Sequence, residues 1–174
     1  MIVCAGQNET IKGAVPVGIG LVQSAINLTK LCMKNRPKEL IFVGSAGSYG
    51  RVGLFEKVVA FEAYNVEVSY LDNLSYTPLK ELINDNVSCE TNIKINSSNY
   101  ITTSKQHSKK FLQLGLDLEN MEFYSILSVA KSFGIDVKGE FVVTNYCDEN
   151  AHKDFIAHHE KAKKIMEEIV AKYR

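Results

Sequence analysis

Residues 114–133, LGLDLENMEFYSILSVAKSF, and shortly after them residues 139–150, GEFVVTNYCDEN, decide the fold. Leu114–Glu119 reads as a short strand, and Asn120 stands where a helix N-cap is expected. Phe123, Ile126, Leu127, Ala130 and Phe133 then recur at helical spacing until Gly134 supplies a stop. Phe141–Val143 is an apolar run long enough for one buried strand, and it ends in the polar Thr144–Asp148. Side chains at the carboxyl ends of strands line the ligand crevice of α/β folds. Met121-Glu122 follows one such end and Asp148 the next, so Glu122 and Asp148 are the first candidate site residues. Each also has a plain structural reading. Glu122 suits the first turn of a helix through the dipole, and Asp148 or Asn150 could cap the final helix.

Working back from this stretch, Ile2–Ala5 is a short apolar run that opens onto the polar loop Gly6–Thr10. Ala14–Val17 reads as a second short strand. After Gly18-Ile19-Gly20, the residues Leu21, Val22, Ala25, Ile26, Thr29 and Cys32 outline an amphipathic helix. Asn35-Arg36-Pro37 ends it, because the residue before proline is pushed out of the α region. Leu40–Val43 is a fully apolar strand followed by Gly44-Ser45-Ala46-Gly47, which reads as a turn. That turn either simply reverses the chain or brings backbone N–H groups against an oxyanion or a ribose. Strand, helix and strand in this order predict a parallel pair.

The middle third differs. Leu54–Phe61 and Tyr64–Tyr70 read as strands, Asp72–Pro78 as a turn-rich connection, and Val87–Ile95 as another alternating segment closed by Ser97-Ser98-Asn99. The sheet is therefore expected to be mixed. The last helix starts near Ala151 and runs to the C-terminus, with Phe155, Ala162, Met166, Ile169 and Tyr173 on its buried face. A single domain over residues 1–174 is expected.

Twenty basic residues balance twenty acidic ones, so the chain offers no field for nucleic acid or an anionic membrane. Three of the basic residues are arginines: Arg36, Arg51 and Arg174. Cys4, Cys32, Cys89 and Cys147 are scattered, which favours buried reduced thiols over a metal or disulfide framework. His152, His158 and His159 lack the i, i+4 spacing of a helical metal pair. No basic leader precedes the first strand and no apolar stretch approaches a membrane span, so a cytoplasmic setting is expected.

Taken together, these segments resemble the nucleoside phosphorylase/nucleosidase superfamily, which includes hexameric bacterial purine nucleoside phosphorylases and methylthioadenosine/adenosylhomocysteine nucleosidases. GIGLVQSA (18–25) looks like the family's GIGKVNAA-type helix start, and VGSAG (43–47) matches its glycine-serine turn. ENMEFYSILSVAKSFGI (119–135) is similar to its V-E-M-E-x-A helix. VVTNYCDEN (142–150) resembles its strand ending in Ser-Asp, with Cys147 in place of the serine. The resemblance implies a three-layer α/β/α sandwich around a mixed, largely parallel sheet, assembled as a homodimer or higher homo-oligomer. It implies that Met121 packs under a ribose and that Glu122 accepts hydrogen bonds from the 2′- and 3′-hydroxyls. Asp148 would face purine N7, Tyr100 would stack on the base, and Ser45, with Gly47 of the same turn, would lie near the ribose or the nucleophile. The implied activity is cleavage of the N-glycosidic bond of a purine nucleoside, without a cofactor or metal.

The departures concern the acceptor. Asn120 replaces the first glutamate of E-M-E, and Phe42 fills the slot where the phosphorylases carry a phosphate-binding arginine. If inorganic phosphate is the co-substrate, Arg51 and the N–H groups near Gly20 are the groups left to hold it. If water is the acceptor, Glu9 is the candidate general base. Asp148 would need its pKa raised by about three units to carry a proton near neutral pH. Two other readings stay open. One is a non-catalytic nucleoside-binding homologue, and the other is a nucleotide-binding α/β domain of different chemistry.

Overall fold

The computed structural model describes residues 1–79, 82–83 and 93–174, with residues 82–83 as backbone alone. Its centre is a pair of long parallel strands, β3 (Glu39–Ser48) and β9 (Asp136–Tyr146), in register from Glu39↔Asp136 to Ser48↔Tyr146. The pairing slips by one residue between Ala46 and Gly47. Along the other edge of β3 lie β1 (Ile2–Cys4), which is parallel, and then β8 (Leu118–Asn120), which is antiparallel. Beyond β1 comes β2 (Val15–Pro16). Beyond β8 come β7 (Lys94–Ser97), β5 (Glu62–Tyr64) and β6 (Leu82–Ile83). β4 (Lys57–Ala60) closes the far side, antiparallel to β9. The sheet is mixed and largely parallel, as the sequence predicts.

Both faces of β3 and β9 are covered, and alternation along each strand sorts the side chains. Leu40, Phe42, Val137, Phe141 and Val143 pack with α1 (Gly20–Asn35) and α4 (Phe123–Phe133). Ile41, Val43 and Val142 pack with Ala162, Met166 and Ile169 of α5 (Ala151–Ala171). This is the three-layer sandwich. A strand buried on both faces must be apolar at every position, which is why these segments show continuous apolar runs. Phe42, Phe123 and Phe141 meet ring to ring with centroids 5.2–6.1 Å apart, all fully buried.

Several sequence expectations are corrected here. Gly44–Gly47 is not a turn: β3 runs through it to Ser48, because β9 continues to supply partners as far as Tyr146. Tyr64–Tyr70 is not one strand. Asn96 Oδ1 accepts from Val66 N at 2.8 Å and takes the chain out of the sheet, and α2 (Val68–Leu71) follows. Leu114–Asp117 is loop, with only Leu118–Asn120 paired. α3 (Lys105–Gln113), whose sequence is too polar to flag a core helix, starts at Ser104, where the hydroxyl accepts from His107 N. The alternating segment Val87–Ile95 lies mostly outside the described residues. Gly134 does end α4 in the left-handed region, and Arg36 before Pro37 ends α1 likewise. Cys4, Cys32 and Cys147 are buried free thiols, while Cys89 lies outside the described residues. Among the described residues no helix is long and apolar enough to cross a membrane.

Candidate active site

A cavity of about 250 Å³ opens where β1, β3, β7, β8 and β9 end and α5 begins. Six of the sequence-derived candidates line it: Glu9, Ser45, Gly47, Tyr100, Met121 and Glu122. They arrive from separate segments of the chain, and the strand ends bring them together.

Glu122 is 6% exposed and sits at the N-cap of α4. Its Oε1 accepts from Gly20 N at 3.0 Å, and its Oε2 from Met121 N and Asn120 Nδ2 at 3.2 Å each. Burial pushes its pKa up to about 7; the Gly20 bond opposes that rise and the nearby charge of Glu9 adds to it. Asn120, expected as the N-cap, ends β8 instead. Its Oδ1 nevertheless accepts from Phe123 N at 3.2 Å and from Ser97 Oγ at 2.8 Å, so it caps α4 from one turn upstream.

Glu9 comes from the loop after β1. Its Oε2 accepts from Ser45 N at 3.3 Å, and its Oε1 accepts from Ser45 Oγ. The serine donates both its main-chain and side-chain protons to one carboxylate, so that carboxylate is oriented rather than free to rotate. His159 Nε2 meets Asn8 O at 2.8 Å and pins the same loop to α5.

The other end of the cavity is built around Gly47. In register it faces Glu119 on one side and Asn145 on the other. A Cβ on Gly47 would lie 2.8 Å from Cys147 Sγ, 3.1 Å from Asn145 Nδ2 and 3.4 Å from Glu119 Cγ. Only glycine lets these three side chains converge. Glu119 and Asn145 are buried, and both line the cavity. Asn145 Oδ1 accepts from Thr144 Oγ1 at 2.9 Å and its Nδ2 donates to Tyr146 O at 3.0 Å. Tyr100, 79% exposed, stands at the mouth, and Phe155 and His152 of α5 complete the wall.

Three candidates lie elsewhere. Asp148 is outside the cavity lining; its Oδ1 accepts from Asn150 N at 2.9 Å and its carbonyl from Ala151 N at 3.0 Å, in the turn that opens α5. Strand β9 ends before it, and Thr144 and Asn145 are the polar residues that β9 carries into the cavity lining. Arg51 pairs with the fully buried Asp117 at 2.7 Å and also lies outside the lining. Gly20 gives its N–H to Glu122. Glu119, Asn145 and His152 were missed in the sequence. The signal for Asn145 was present, since it continues the Phe141, Val143 face of the strand. Among the described residues no group of His, Cys, Asp and Glu could hold a metal ion.

Fold and site together define an α/β protein that gathers three glutamates, among the described residues, around one cavity. No protein-family model and no curated protein matches the sequence. Solved structures do match in fold. Native futalosine hydrolase of Helicobacter pylori superposes with a TM-score of 0.82 at 17% identity, covering 98% of this chain and 94% of that one. An Asp→Asn mutant of the Helicobacter pylori 5′-methylthioadenosine nucleosidase, with 5′-methylthioadenosine in its active site, gives 0.79 at 17%, covering 99% and 97%. The Streptococcus pneumoniae MTA/SAH nucleosidase in complex with 8-aminoadenine gives 0.78 at 15%, covering 97% and 95%. The chain shares the fold of these nucleosidase and hydrolase structures over nearly its whole length.

Proposed function

We propose that this cavity hydrolyses the N-glycosidic bond of a purine nucleoside. The observation that carries the reading is the pair of carboxylates, Glu9 locked by Ser45 and Glu122 locked by main-chain N–H groups, in one cavity. Breaking a ribose–purine bond passes through an oxocarbenium-like state, so the sugar must be held, a nucleophile activated and the base helped to leave. Glu122 accepts the ribose 2′- and 3′-hydroxyls above Met121. Tyr100 and Phe155 cover the base, and the Asn145 amide hydrogen-bonds it. Glu9 takes a proton from water as the water adds to C1′. The superposed structures named as nucleosidases and a hydrolase support this reaction class.

Water is favoured over phosphate on electrostatic grounds. Among the described residues the cavity lining carries Glu9, Glu119 and Glu122 and neither lysine nor arginine. An anion entering it meets the charge of Glu9, and no bidentate arginine contact awaits it among the described residues. Phe42, in the slot of the phosphorylase arginine, is fully buried in the core.

One observation favours a second reading, binding without turnover. Asp148, the carboxyl that the resemblance puts against the base, lies outside the cavity lining, where Asn145 offers an amide instead, and a Helicobacter pylori Asp→Asn nucleosidase mutant holds 5′-methylthioadenosine in its active site. We also propose that the chain self-associates in the cytoplasm. Val22, Ile26 and Met33 form an exposed apolar stripe on α1, 45–74% accessible, and Ile101 is exposed at the cavity mouth.

The test follows base release from methylthioadenosine, adenosine and inosine, with and without millimolar phosphate, and identifies the sugar. Free ribose, or 5-methylthioribose from methylthioadenosine, at a rate indifferent to phosphate is expected. Ribose 1-phosphate would overturn hydrolysis, and tight binding without product would establish the second reading.

A further inference from the structure

We propose that Glu119 is the proton donor to the departing base, a deduction that rests on the hydrolase reading above. The leaving purine must receive a proton as its electron pair arrives from the broken C1′–N9 bond. Asn145 can hydrogen-bond that base, but its amide has no acidic proton to give. Of the three carboxyl groups that line the cavity among the described residues, Glu9, held by Ser45, is the base toward water, and Glu122, which takes Gly20 N–H, Met121 N–H and the Asn120 amide, is assigned to the ribose hydroxyls. Glu119 is the third. It shares the Gly47 row with Asn145, and the gap left by the absent Gly47 side chain brings the two groups together.

The surroundings of Glu119 suit an acid that must be recharged. Its Oε1 accepts from Thr102 N at 2.8 Å and its Oε2 from Tyr49 OH at 2.9 Å. The tyrosine proton is directed at the carboxyl, because Tyr49 oxygen already accepts from Asn96 Nδ2 at 3.2 Å. The Cys147 thiol, kept protonated chiefly by burial, is a further donor. These donors receive the negative charge once the proton has left. Burial outweighs them in the resting state and raises the pKa of Glu119. Across the cavity stand Glu9 and Glu122. Behind it, Asp117 on the same segment is neutralised by Arg51. In the step itself Glu119 Oε–H passes its proton to a ring nitrogen of the purine, the C1′–N9 pair goes to the base, and water adds to C1′ while Glu9 takes its proton. Exchange with solvent returns one proton to Glu119 and removes one from Glu9.

The experiment compares wild type with Glu119→Gln on inosine and on 7-methylguanosine, whose base is already cationic and leaves without a proton. General acids contribute typically 100- to 10,000-fold, so Glu119→Gln should lower kcat on inosine by about 100-fold or more. It should change 7-methylguanosine cleavage by less than about fivefold, and the alkaline limb of the wild-type kcat profile on inosine should disappear. A thermal melt checks that the variant is folded. Equal losses on both substrates, no loss on inosine, or an unchanged alkaline limb would overturn the acid role while leaving hydrolysis standing. Failure of wild type to cleave either of these two nucleosides, adenosine or methylthioadenosine would overturn both.

Discussion

The main-chain N–H of Gly20 donates to Glu122 Oε1 at 3.0 Å, across 102 residues of chain. Gly20 takes φ +81°, and a Cβ there would come within 2.8 Å of Asn99 Oδ1. A glycine turn of the kind that elsewhere greets a phosphate is used here to seat a carboxylate. The first helix and the fourth thereby share one buried acid.

That acid makes stability depend on pH. Glu122 has a folded pKa of about 7 against an ordinary glutamate value of 4.5, so the folded chain holds its proton more tightly than the unfolded chain. Its contribution is fully present below about 4.5 and is lost as pH rises through about 7. The full shift corresponds to about 3 kcal/mol. Tm should therefore fall between pH 5 and 8, and the fall should be shallower in Glu122→Gln. Parallel Tm curves for the two proteins would contradict the burial of this charge.

Removal of the carboxylate should separate fold from function. Glu122→Ala is expected to retain its circular dichroism and a cooperative melt, while nucleoside turnover drops about 100-fold or more, on the scale of a lost charge-assisted contact. Turnover near wild type would take Glu122 out of the site.

Phe42 provides a check on the acceptor. Replacing it by arginine restores the residue type of the phosphorylase slot, but Phe42 packs against Phe123 and Phe141 with no exposure. An arginine there would be a buried unpaired charge and would also empty an aromatic site, each costing several kcal/mol. Phe42→Arg should therefore fail to fold or melt far below wild type. A stable Phe42→Arg protein with phosphate-dependent base release would contradict this.

How much of this was legible follows from the kind of signal each element carries. The doubly buried strands β3 and β9 announce themselves as apolar runs, and Gly134 and Pro37 mark helix ends by rules of local geometry. The Met121-Glu122 pair was found because a helix start follows a strand end. The end of β9 was misjudged for a physical reason. Thr144 and Asn145 are polar but paired in the sheet, so composition stops before the hydrogen bonds do, and Asp148, outside the cavity lining, was singled out in place of Thr144 and Asn145, which line it. The Gly44–Gly47 segment failed in the same way, since glycine in a strand signals close approach as readily as a turn. Glu119 was invisible because its partners, Tyr49, Thr102 and Cys147, meet it only through tertiary contacts.

Self-association has a direct readout. The stripe of Val22, Ile26 and Met33 on α1 leaves apolar surface that a second chain would cover. Sedimentation at micromolar concentration should give a species heavier than 19.4 kDa. A clean monomer would refute it.

The central claim is that water, activated by Glu9, attacks C1′. The measurement that tests it most directly is base release in ¹⁸O-labelled water containing millimolar phosphate, with mass analysis of the sugar. The account predicts free ribose carrying one ¹⁸O at C1, formed at least about 100-fold more slowly by Glu9→Gln. Ribose 1-phosphate without label, or labelled ribose formed as fast by Glu9→Gln as by wild type, would contradict it.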